Sequence, residues 1–230
     1  MHLNREKIAI IDYGMGNICS VQKACAFLGY EGELIDKPEK LMTASKAILP
    51  GVGAFGDAMA MLEERGFTAA IKEYAAQGRP LFGICLGMQL MFAGSTEGLE
   101  AEVPAAAPAS MAVQSPPLHK GLGFFPGIIR RFPANLAVKV PHIGWNLIEC
   151  QPGSALFAGL PPKFSAYFVH SYFAEDTQAP YATGLCRHGL DFVAAVEKDN
   201  LWAAQFHPEK SGDLGIRLLS NFLRRNPYVD

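Results

Sequence analysis

One short stretch, residues 81–92, constrains the fold of this chain more than any other. Residues 81–84 form an apolar run of strand length, and residues 88–92 are good helix formers. Between them lies Gly83-Ile84-Cys85-Leu86-Gly87, with the spacing of a nucleophile elbow. The sharp turn of an elbow brings backbone against backbone and leaves no room for a Cβ at its glycines. The stretch therefore predicts a strand, a tight turn that presents Cys85, and a helix.

In such a turn Cys85 would lie at a helix N-terminus, where the helix dipole and free N–H groups favour a thiolate over a thiol. The N–H of Leu86 would point to the same side and form half of an oxyanion hole. The alternative is a buried structural cysteine, which is the usual role of a free cysteine. Cys85 can be interpreted as a nucleophile only if the chain also supplies a base.

A candidate base lies near the C-terminus, in His207-Pro208-Glu209. A predicted strand, residues 201–206, leads into this segment, and Pro208 favours extended geometry at His207. Side chains two apart in an extended segment lie on the same side, so His207 and Glu209 can face one pocket. A carboxylate behind an imidazole fixes its tautomer and stabilises the imidazolium, as in a catalytic triad. Taken alone, the same tripeptide would also suit a surface turn.

Strands and helices alternate through the first half of the chain, which predicts an α/β fold with a mainly parallel sheet. The predicted elements are strands at residues 7–13, 33–35 and 46–49, and helices at 18–28, 57–65 and 68–77. The first turn contains Gly14 and Gly16, but Cys19 stands where a dinucleotide-binding motif has its third glycine. Nucleotide binding is therefore disfavoured.

The second half of the chain has short strands joined by turns, which predicts an antiparallel part. The predicted strands are 124–132, 138–140, 145–149, 164–173, 181–186, 191–196 and 201–206, followed by a helix at 214–225. His142 and His170 lie near aromatic strand residues and are interpreted as hydrogen-bonded structural histidines. Residues 98–120 are rich in alanine and proline, which predicts an exposed loop within one domain of residues 1–230.

Charge and composition exclude several classes of protein. A net charge of −2 gives no support to binding of nucleic acid or an anionic membrane, and no apolar run is long enough to span a bilayer. The first residues lack the features of a signal peptide. The five cysteines contain no C-x-x-C pair and predict neither a disulfide framework nor a zinc site. We therefore expect a cytoplasmic protein with reduced thiols.

Both candidate catalytic segments resemble those of class I glutamine amidotransferases. Residues 83–89 and 207–209 match the family's two catalytic motifs in order and separation. Further segments are similar to the HisH branch, the glutaminase subunits of imidazole glycerol phosphate synthase; they are residues 11–17, 49–55, 139–146, 167–172 and 207–211. The resemblance implies a three-layer, flavodoxin-like α/β fold, with a mainly parallel central sheet and an antiparallel C-terminal part. Residues 98–120 depart from the family by being longer and richer in alanine and proline.

The resemblance also implies an activity, the hydrolysis of the side-chain amide of glutamine. Cys85 would attack the amide carbon, His207 would transfer protons, and Glu209 would orient His207. The oxyanion would be held by the N–H of Leu86 and by that of Val52 or Gly53. The implied contacts with substrate glutamine are Gly51, Gln89, Glu97, Ser171 and Tyr172. No metal or organic cofactor is implied.

The resemblance implies a protein partner as well, a HisF-type cyclase subunit with a (β/α)8 barrel that receives the ammonia. The residues implied at that contact are Tyr13, Asn17, Tyr167 and Lys210. Three alternatives stay open at this stage. The chain could serve a synthase for anthranilate, purines or pyridoxal phosphate, it could be a non-catalytic flavodoxin-like binding protein, or it could be another kind of cysteine hydrolase with an elbow.

Overall fold

The structure is a computed structural model that describes residues 4–99 and 118–225. Thirteen strands, five α-helices and two 3-10 turns lie within these ranges. The strands are β1 (Asn4–Ile11), β2 (Tyr30–Ile35), β3 (Lys46–Gly51), β4 (Leu81–Cys85), β5 (Phe92–Ser95), β6 (His119–Lys120), β7 (Phe125–Arg131), β8 (His142–Cys150), β9 (Lys163–His170), β10 (Tyr172–Ala174), β11 (Ala182–His188), β12 (Leu190–Lys198) and β13 (Leu201–Ala204). The helices are α1 (Ile18–Phe27), α2 (Phe55–Glu64), α3 (Phe67–Ala76), α4 (Leu86–Leu90) and α5 (Gly212–Arg224), and the 3-10 turns are Pro38–Thr43 and Pro208–Lys210.

A parallel sheet in the order β2-β1-β3-β4-β13 forms the first part of the fold. Residues 8–11 of β1 and all of β3 and β4 are buried, because helices cover both faces of the sheet. In β1, Ile8 and Ile10 belong to the core that includes α1 and α5, whereas Ala9 and Ile11 belong to the core that includes α2 and α3. Two cores on opposite faces of one sheet make three layers, which confirms the predicted α/β fold.

The helix α5 closes one of these two cores. Leu218, Leu219, Phe222 and Leu223 are all fully buried and share one face of the helix, as their spacing predicts. The ring of Phe222 lies 5.1 Å from that of Phe82 in β4, centroid to centroid. The C-terminal helix therefore packs directly behind the strand that carries Cys85.

The antiparallel part begins at β13, which pairs in parallel with β4 and antiparallel with β12. The sheet continues from β12 through β10 to β7, and a branch of β11, β8 and β9 leaves it at β12. Along β8 and β9 the pairing runs from His142 opposite His170 to Glu149 opposite Lys163. One strand, β13, thus joins the two kinds of sheet, and the segment that follows it carries His207.

Three predictions about these elements are wrong. Residues 138–140 form no strand, and the helix predicted through Phe92 ends at Leu90 because Phe92 begins β5. The strand predicted at 164–173 is two strands, since the chain leaves β8 at His170 and pairs with β7 from Tyr172 onward. The loop predicted at 98–120 stays a prediction, because residues 100–117 of it lie outside the described residues; its described end contains the short strand β6, which pairs with β5.

Candidate active site

The elbow predicted around Cys85 is present at the junction of β4 and α4. Cys85 is the last residue of β4 and the N-cap of α4, and its φ is +55°, a strained value for a residue with a side chain. A Cβ on Gly87 would run into the carbonyl oxygen of Leu49, and one on Gly83 would lie 2.8 Å from the backbone nitrogen of Met88. The steric reason predicted for the two glycines is therefore confirmed.

The sulfur of Cys85 is almost enclosed by the protein. Its thiol points at the carbonyl oxygen of Val169 in β9, at 3.8 Å, and it receives the side-chain amide of Gln205, whose Nε2 is 3.7 Å from Sγ. Both contacts come from the second half of the chain. The elbow thus presents the sulfur toward β9 and the segment that follows β13 rather than toward solvent.

Behind the cavity, Glu209 orients His207. Nδ1 of His207 lies 2.8 Å from Oε1 of Glu209, and both side chains are almost fully buried. The pairing is as predicted, but its predicted cause is wrong. Only His207 is extended (φ −98°, ψ 97°); Pro208–Lys210 is a 3-10 turn, and that turn brings the carboxylate back to the imidazole. The hydroxyl of Ser211 ties the turn by donating to the carbonyl of His207 at 2.6 Å.

The second ring nitrogen of His207, Nε2, is buried and makes no hydrogen bond within the described residues. His207 lines the same cavity as Cys85. Burial lowers the pKa of His207, but the neighbouring Cys85 and Glu209 outweigh it and raise that pKa to about 9. The imidazolium is thus favoured at neutral pH beside the sulfur, which is the arrangement that a Cys–His pair needs for proton transfer.

A cavity of about 260 Å³ brings together most of the predicted site residues. Its lining residues are Val52, Gly53, Cys85, Leu86, Gln89, Glu97, Val169, His170, Ser171, Tyr172 and His207. Among these, Val169 and His170 were not predicted to line the site. Gly51 does not line the cavity and instead pairs with Cys85 across β3 and β4.

Two of the lining side chains have well-defined partners. Nε2 of Gln89 donates to the carbonyl of Tyr172 and to Oε1 of Gln205, both at 2.9 Å, so its Oε1 is the atom left for a ligand. Oε2 of Glu97 accepts from the N–H of Phe55 at 2.7 Å, at the first turn of α2, where the helix dipole stabilises a carboxylate. The role of Gln205 was missed because it precedes the recognised motif at 207–209.

The residues predicted at a partner contact do not share one environment. Asn17 and Tyr167 are half-buried and Lys210 is exposed, with its Nζ 6.0 Å above the centre of the Tyr167 ring. Tyr13 is fully buried within this chain, and its place at a partner contact stays a prediction. It follows β1, and its hydroxyl lies under the turn at the end of β3, where a Cβ on Gly51 would be 2.8 Å from it.

An apolar face that sequence reasoning did not single out lies beside Tyr167 and Lys210. Ile143 and Trp145 in β8 are 61% and 59% exposed, and Leu147 is exposed next to them. Across the ladder, Ile143 pairs with the exposed Val169, and the rings of Trp145 and Tyr167 lie 6.2 Å apart, edge to face. Contiguous exposed apolar side chains of this kind mark interaction surfaces.

The described ranges, 4–99 and 118–225, contain neither a side-chain group suited to a metal ion nor a helix that could span a membrane. Within them no group of three or more His, Cys, Asp or Glu side chains is placed to hold a metal ion. None of the helices described there is long and apolar enough to cross a membrane.

Comparison with known proteins agrees with this geometry. The family profile "Glutamine amidotransferase class-I" matches residues 9–226. The imidazole glycerol phosphate synthase subunits HisH of Moorella thermoacetica and Desulfitobacterium hafniense are 46% and 44% identical over 215 residues, covering 94% of this chain and 93% and 92% of theirs. A crystal structure of a glutamine amidotransferase superposes with a TM-score of 0.66 at 19% identity, covering 94% of this chain and 98% of that one. PurLQS from Thermotoga maritima gives 0.66 at 17% identity, with 96% and 98% covered. The chain belongs to the class I glutamine amidotransferase family, in the branch of the HisH subunits.

Proposed function

We propose that this chain is the glutamine-hydrolysing subunit of an imidazole glycerol phosphate synthase, with Cys85 as the nucleophile. The observation that carries the proposal is the single cavity lined by Cys85 and His207, with Glu209 hydrogen-bonded behind His207. If Cys85 were only structural, it would not need a buried imidazole in the same cavity. Nε2 of His207 is buried in that cavity and has no hydrogen-bond partner among the described residues. The similarity to HisH subunits over 94% of the chain supports the assignment to this synthase rather than to another.

In the first half-reaction the Cys85 thiolate attacks the side-chain carboxamide carbon of glutamine and forms a tetrahedral oxyanion. His207 has taken the thiol proton and gives it to the departing nitrogen, so that ammonia leaves and a γ-glutamyl thioester remains. Glu209 holds the proton on Nδ1 of His207, which keeps Nε2 available for this transfer.

In the second half-reaction water replaces ammonia in the cavity. His207, now neutral, takes a proton from the water while the oxygen attacks the thioester carbon. Collapse of the second tetrahedral intermediate breaks the carbon–sulfur bond, releases glutamate and restores the Cys85 thiolate beside the imidazolium. The same two side chains therefore serve both halves of the reaction.

The oxyanion formed in both steps needs donors that point into the cavity. The N–H of Leu86 is one, because it belongs to the first turn of α4 and has no partner within that helix. Val52 or Gly53 supplies the other; Gly53 has a φ of +95°, at which a glycine backbone turns with little strain. Each such donor lowers the barrier by about 3 kcal/mol. Gly51 supports this turn from β3.

The remaining lining residues suit the two ends of free glutamine. The carboxylate of Glu97 is placed to pair with the α-ammonium group, and Oε1 of Gln89 is free to accept from the substrate. Ser171 and Tyr172 lie at the switch from β9 to β10, which turns their backbone into the cavity wall. We assign these four residues to binding of the substrate.

For the partner we propose a HisF-type cyclase subunit, docked on the apolar face of β8 and β9. Exposed aromatic and aliphatic side chains, flanked by Tyr167 and Lys210, match the composition of protein interfaces. Asn17 adds a polar contact, since its side chain makes no capping bond to α1. The ammonia would pass directly to this partner, and the complex would work in the cytoplasm.

The test is Cys85→Ala in the complex with the cyclase. We expect synthesis from glutamine to be lost and synthesis from added ammonium salt to be retained, measured as formation of imidazole glycerol phosphate. Loss of both would mean that Cys85 supports the contact between the subunits. A pull-down with candidate synthases tests the partner, and binding to an anthranilate synthase but not to a HisF-type cyclase would reject our choice.

A further inference from the structure

A chain of hydrogen bonds, exposed at its outer end and buried at its inner end, connects β8 with the sulfur of Cys85, and it contains two histidines that the mechanism above does not use. At its outer end is Asn146, whose Nδ2 donates to the carbonyl of Arg187 at 2.9 Å and to Nε2 of His142 at 3.1 Å. Oδ1 of Asn146 accepts from the N–H of Leu147 at 2.8 Å, which fixes the orientation of the side-chain amide. Nε2 of His142 is therefore an acceptor.

The proton positions along the two histidines follow from their partners. Because Nε2 of His142 accepts, its proton is on Nδ1, which donates to Nε2 of His170 at 3.0 Å. Nδ1 of His170 lies 2.8 Å from the carbonyl oxygen of Tyr172 and can only donate to it. The assignments made from the two ends agree, and each ring carries one proton, on Nδ1.

The carbonyl of Tyr172 is the junction between the histidines and the active-site sulfur. It accepts from His170 and, at 2.9 Å, from Nε2 of Gln89. The other proton of that Nε2 goes to Oε1 of Gln205 at 2.9 Å, which leaves Nε2 of Gln205 facing Sγ of Cys85 at 3.7 Å. The direction in which Gln205 presents its N–H is thus set by Gln89.

This chain of polar groups runs through an aromatic part of the core. His142 and His170 pack against Phe132, Phe168 and Phe192. Burial lowers the pKa of His142 to about 4 and that of His170 to about 3, which keeps both rings neutral, as the proton positions require. Polar groups buried among phenylalanines are unfavourable unless every one is hydrogen-bonded. A set that meets this condition and ends on a reactive sulfur suggests a role in the reaction.

We propose that Gln205, His170 and His142 are positioning residues for glutamine hydrolysis. Gln205 holds an N–H donor against Cys85, which stabilises negative charge on the sulfur and keeps the side chain in the position for attack. His170 and His142 act at a distance by fixing the Tyr172 carbonyl on which Gln89 and hence Gln205 depend. This inference rests on the proposed function, because it assigns roles in the same reaction.

The experiment uses the full chain in complex with its HisF-type cyclase and compares three substitutions. Gln205→Met keeps the length of the side chain but removes the donor, His142→Leu breaks the chain at its far end, and His142→Gln restores a donor and an acceptor at that point. The matched control is His188→Leu. His188 stacks on His142, with ring centres 4.0 Å apart, but it donates to the carbonyl of Lys139 and lies outside the chain.

We expect Gln205→Met to lower the kcat for glutamine hydrolysis about tenfold to a hundredfold with KM changed by less than about threefold, because a donor near the reacting atom is lost. Alkylation of Cys85 by iodoacetamide at pH 7 should slow in the same variant. His142→Leu should also lower kcat, but by a smaller factor than Gln205→Met. His142→Gln should recover most of that loss, and the kcat of His188→Leu should stay within about twofold of the wild-type value.

Two results would overturn the proposal. One is a wild-type kcat and alkylation rate in Gln205→Met, and the other is an equal loss in His188→Leu and His142→Leu, which would assign the effect to packing of the aromatic cluster. Should Gln205→Met not fold, Gln205→Asn withdraws the amide from the sulfur while keeping it polar, and the same comparisons apply. A wild type that does not hydrolyse glutamine would instead reject the proposed function, and the alkylation rates would still test the positioning.

Discussion

The two walls of the cavity are built by different means. On the wall formed by the parallel sheet, Cys85 is placed by backbone packing: a strained φ at Cys85 and glycines at 83 and 87 that have no space for a side chain. On the wall formed by β9 and the segment that follows β13, His207 and Gln205 are placed by hydrogen bonds between side chains. The nucleophile thus depends on close backbone contact, whereas its supporting groups depend on a polar network.

This difference predicts different kinds of fragility. Backbone packing tolerates no added atom, but backbone amides do not titrate, so the packing that places Cys85 should be insensitive to pH. A buried network of imidazoles and amides tolerates small changes of shape but fails when one of its members changes protonation. Substitution and pH therefore separate the two walls.

The largest effect is expected for Gly87→Ala on the first wall. The added methyl group would meet the carbonyl oxygen of Leu49, a backbone atom that cannot move without breaking β3 from α4. We expect a loss of at least about 5 kcal/mol in the free energy of unfolding, or failure to fold, measured by urea denaturation. Gly29→Ala is the control. It adds a methyl group in open space at a φ of +84° and should lose only about 1 kcal/mol. Equal losses in the two variants would contradict the steric argument.

Acid should weaken the second wall. Because burial holds the pKa of His142 near 4 and that of His170 near 3, an unfolded chain with ordinary histidines binds more protons than the folded chain below pH 6.5. The stabilisation is fully present above pH 6.5 and is lost as the pH falls toward 4. At pH 5 we expect a loss of about 2 kcal/mol for each histidine relative to pH 7, from urea unfolding at the two pH values.

His142→Gln separates this effect from general acid sensitivity. The variant keeps the hydrogen bonds but removes one titrating group, so its loss of stability between pH 7 and pH 5 should be smaller than that of the wild type by about 2 kcal/mol. Equal losses would mean that His142 does not titrate in this range. His207 is present in both proteins and does not affect the difference between them; with its pKa raised to about 9, its contribution is fully present below pH 6.5 and is lost as the pH rises through 9.

The same difference explains what could be predicted from the sequence. The elbow was predictable because its constraint is local: two glycines flank Cys85, between an apolar strand and a helix. The role of Gln205 was not predictable, because its partners Gln89 and Cys85 are 116 and 120 positions away in the sequence. The short strands β5 and β6 were missed because two to four residues carry no periodicity. His142 and His170 were correctly interpreted as hydrogen-bonded, but only the structure gives their order.

The smallest effect is expected for Tyr13, which lies beneath the first wall. Its hydroxyl is buried without a hydrogen-bond partner among the described residues, and such a group destabilises a fold by about 1–3 kcal/mol. We expect Tyr13→Phe to raise the free energy of unfolding by about 1 kcal/mol, to leave glutamine hydrolysis within about twofold, and to leave the affinity for the cyclase unchanged. Tyr74→Phe is the matched control with the opposite sign, because the hydroxyl of Tyr74, equally buried, donates to the carbonyl of Ala44 at 3.3 Å. Weaker binding of the cyclase by Tyr13→Phe would support the prediction that Tyr13 lies at the partner contact and show that this wall rearranges when the subunits meet. If Tyr13→Phe is more stable and binds the cyclase as the wild type does, Tyr13 acts only inside the fold. Its ring then fills the space under β3, and its hydroxyl contributes nothing to stability.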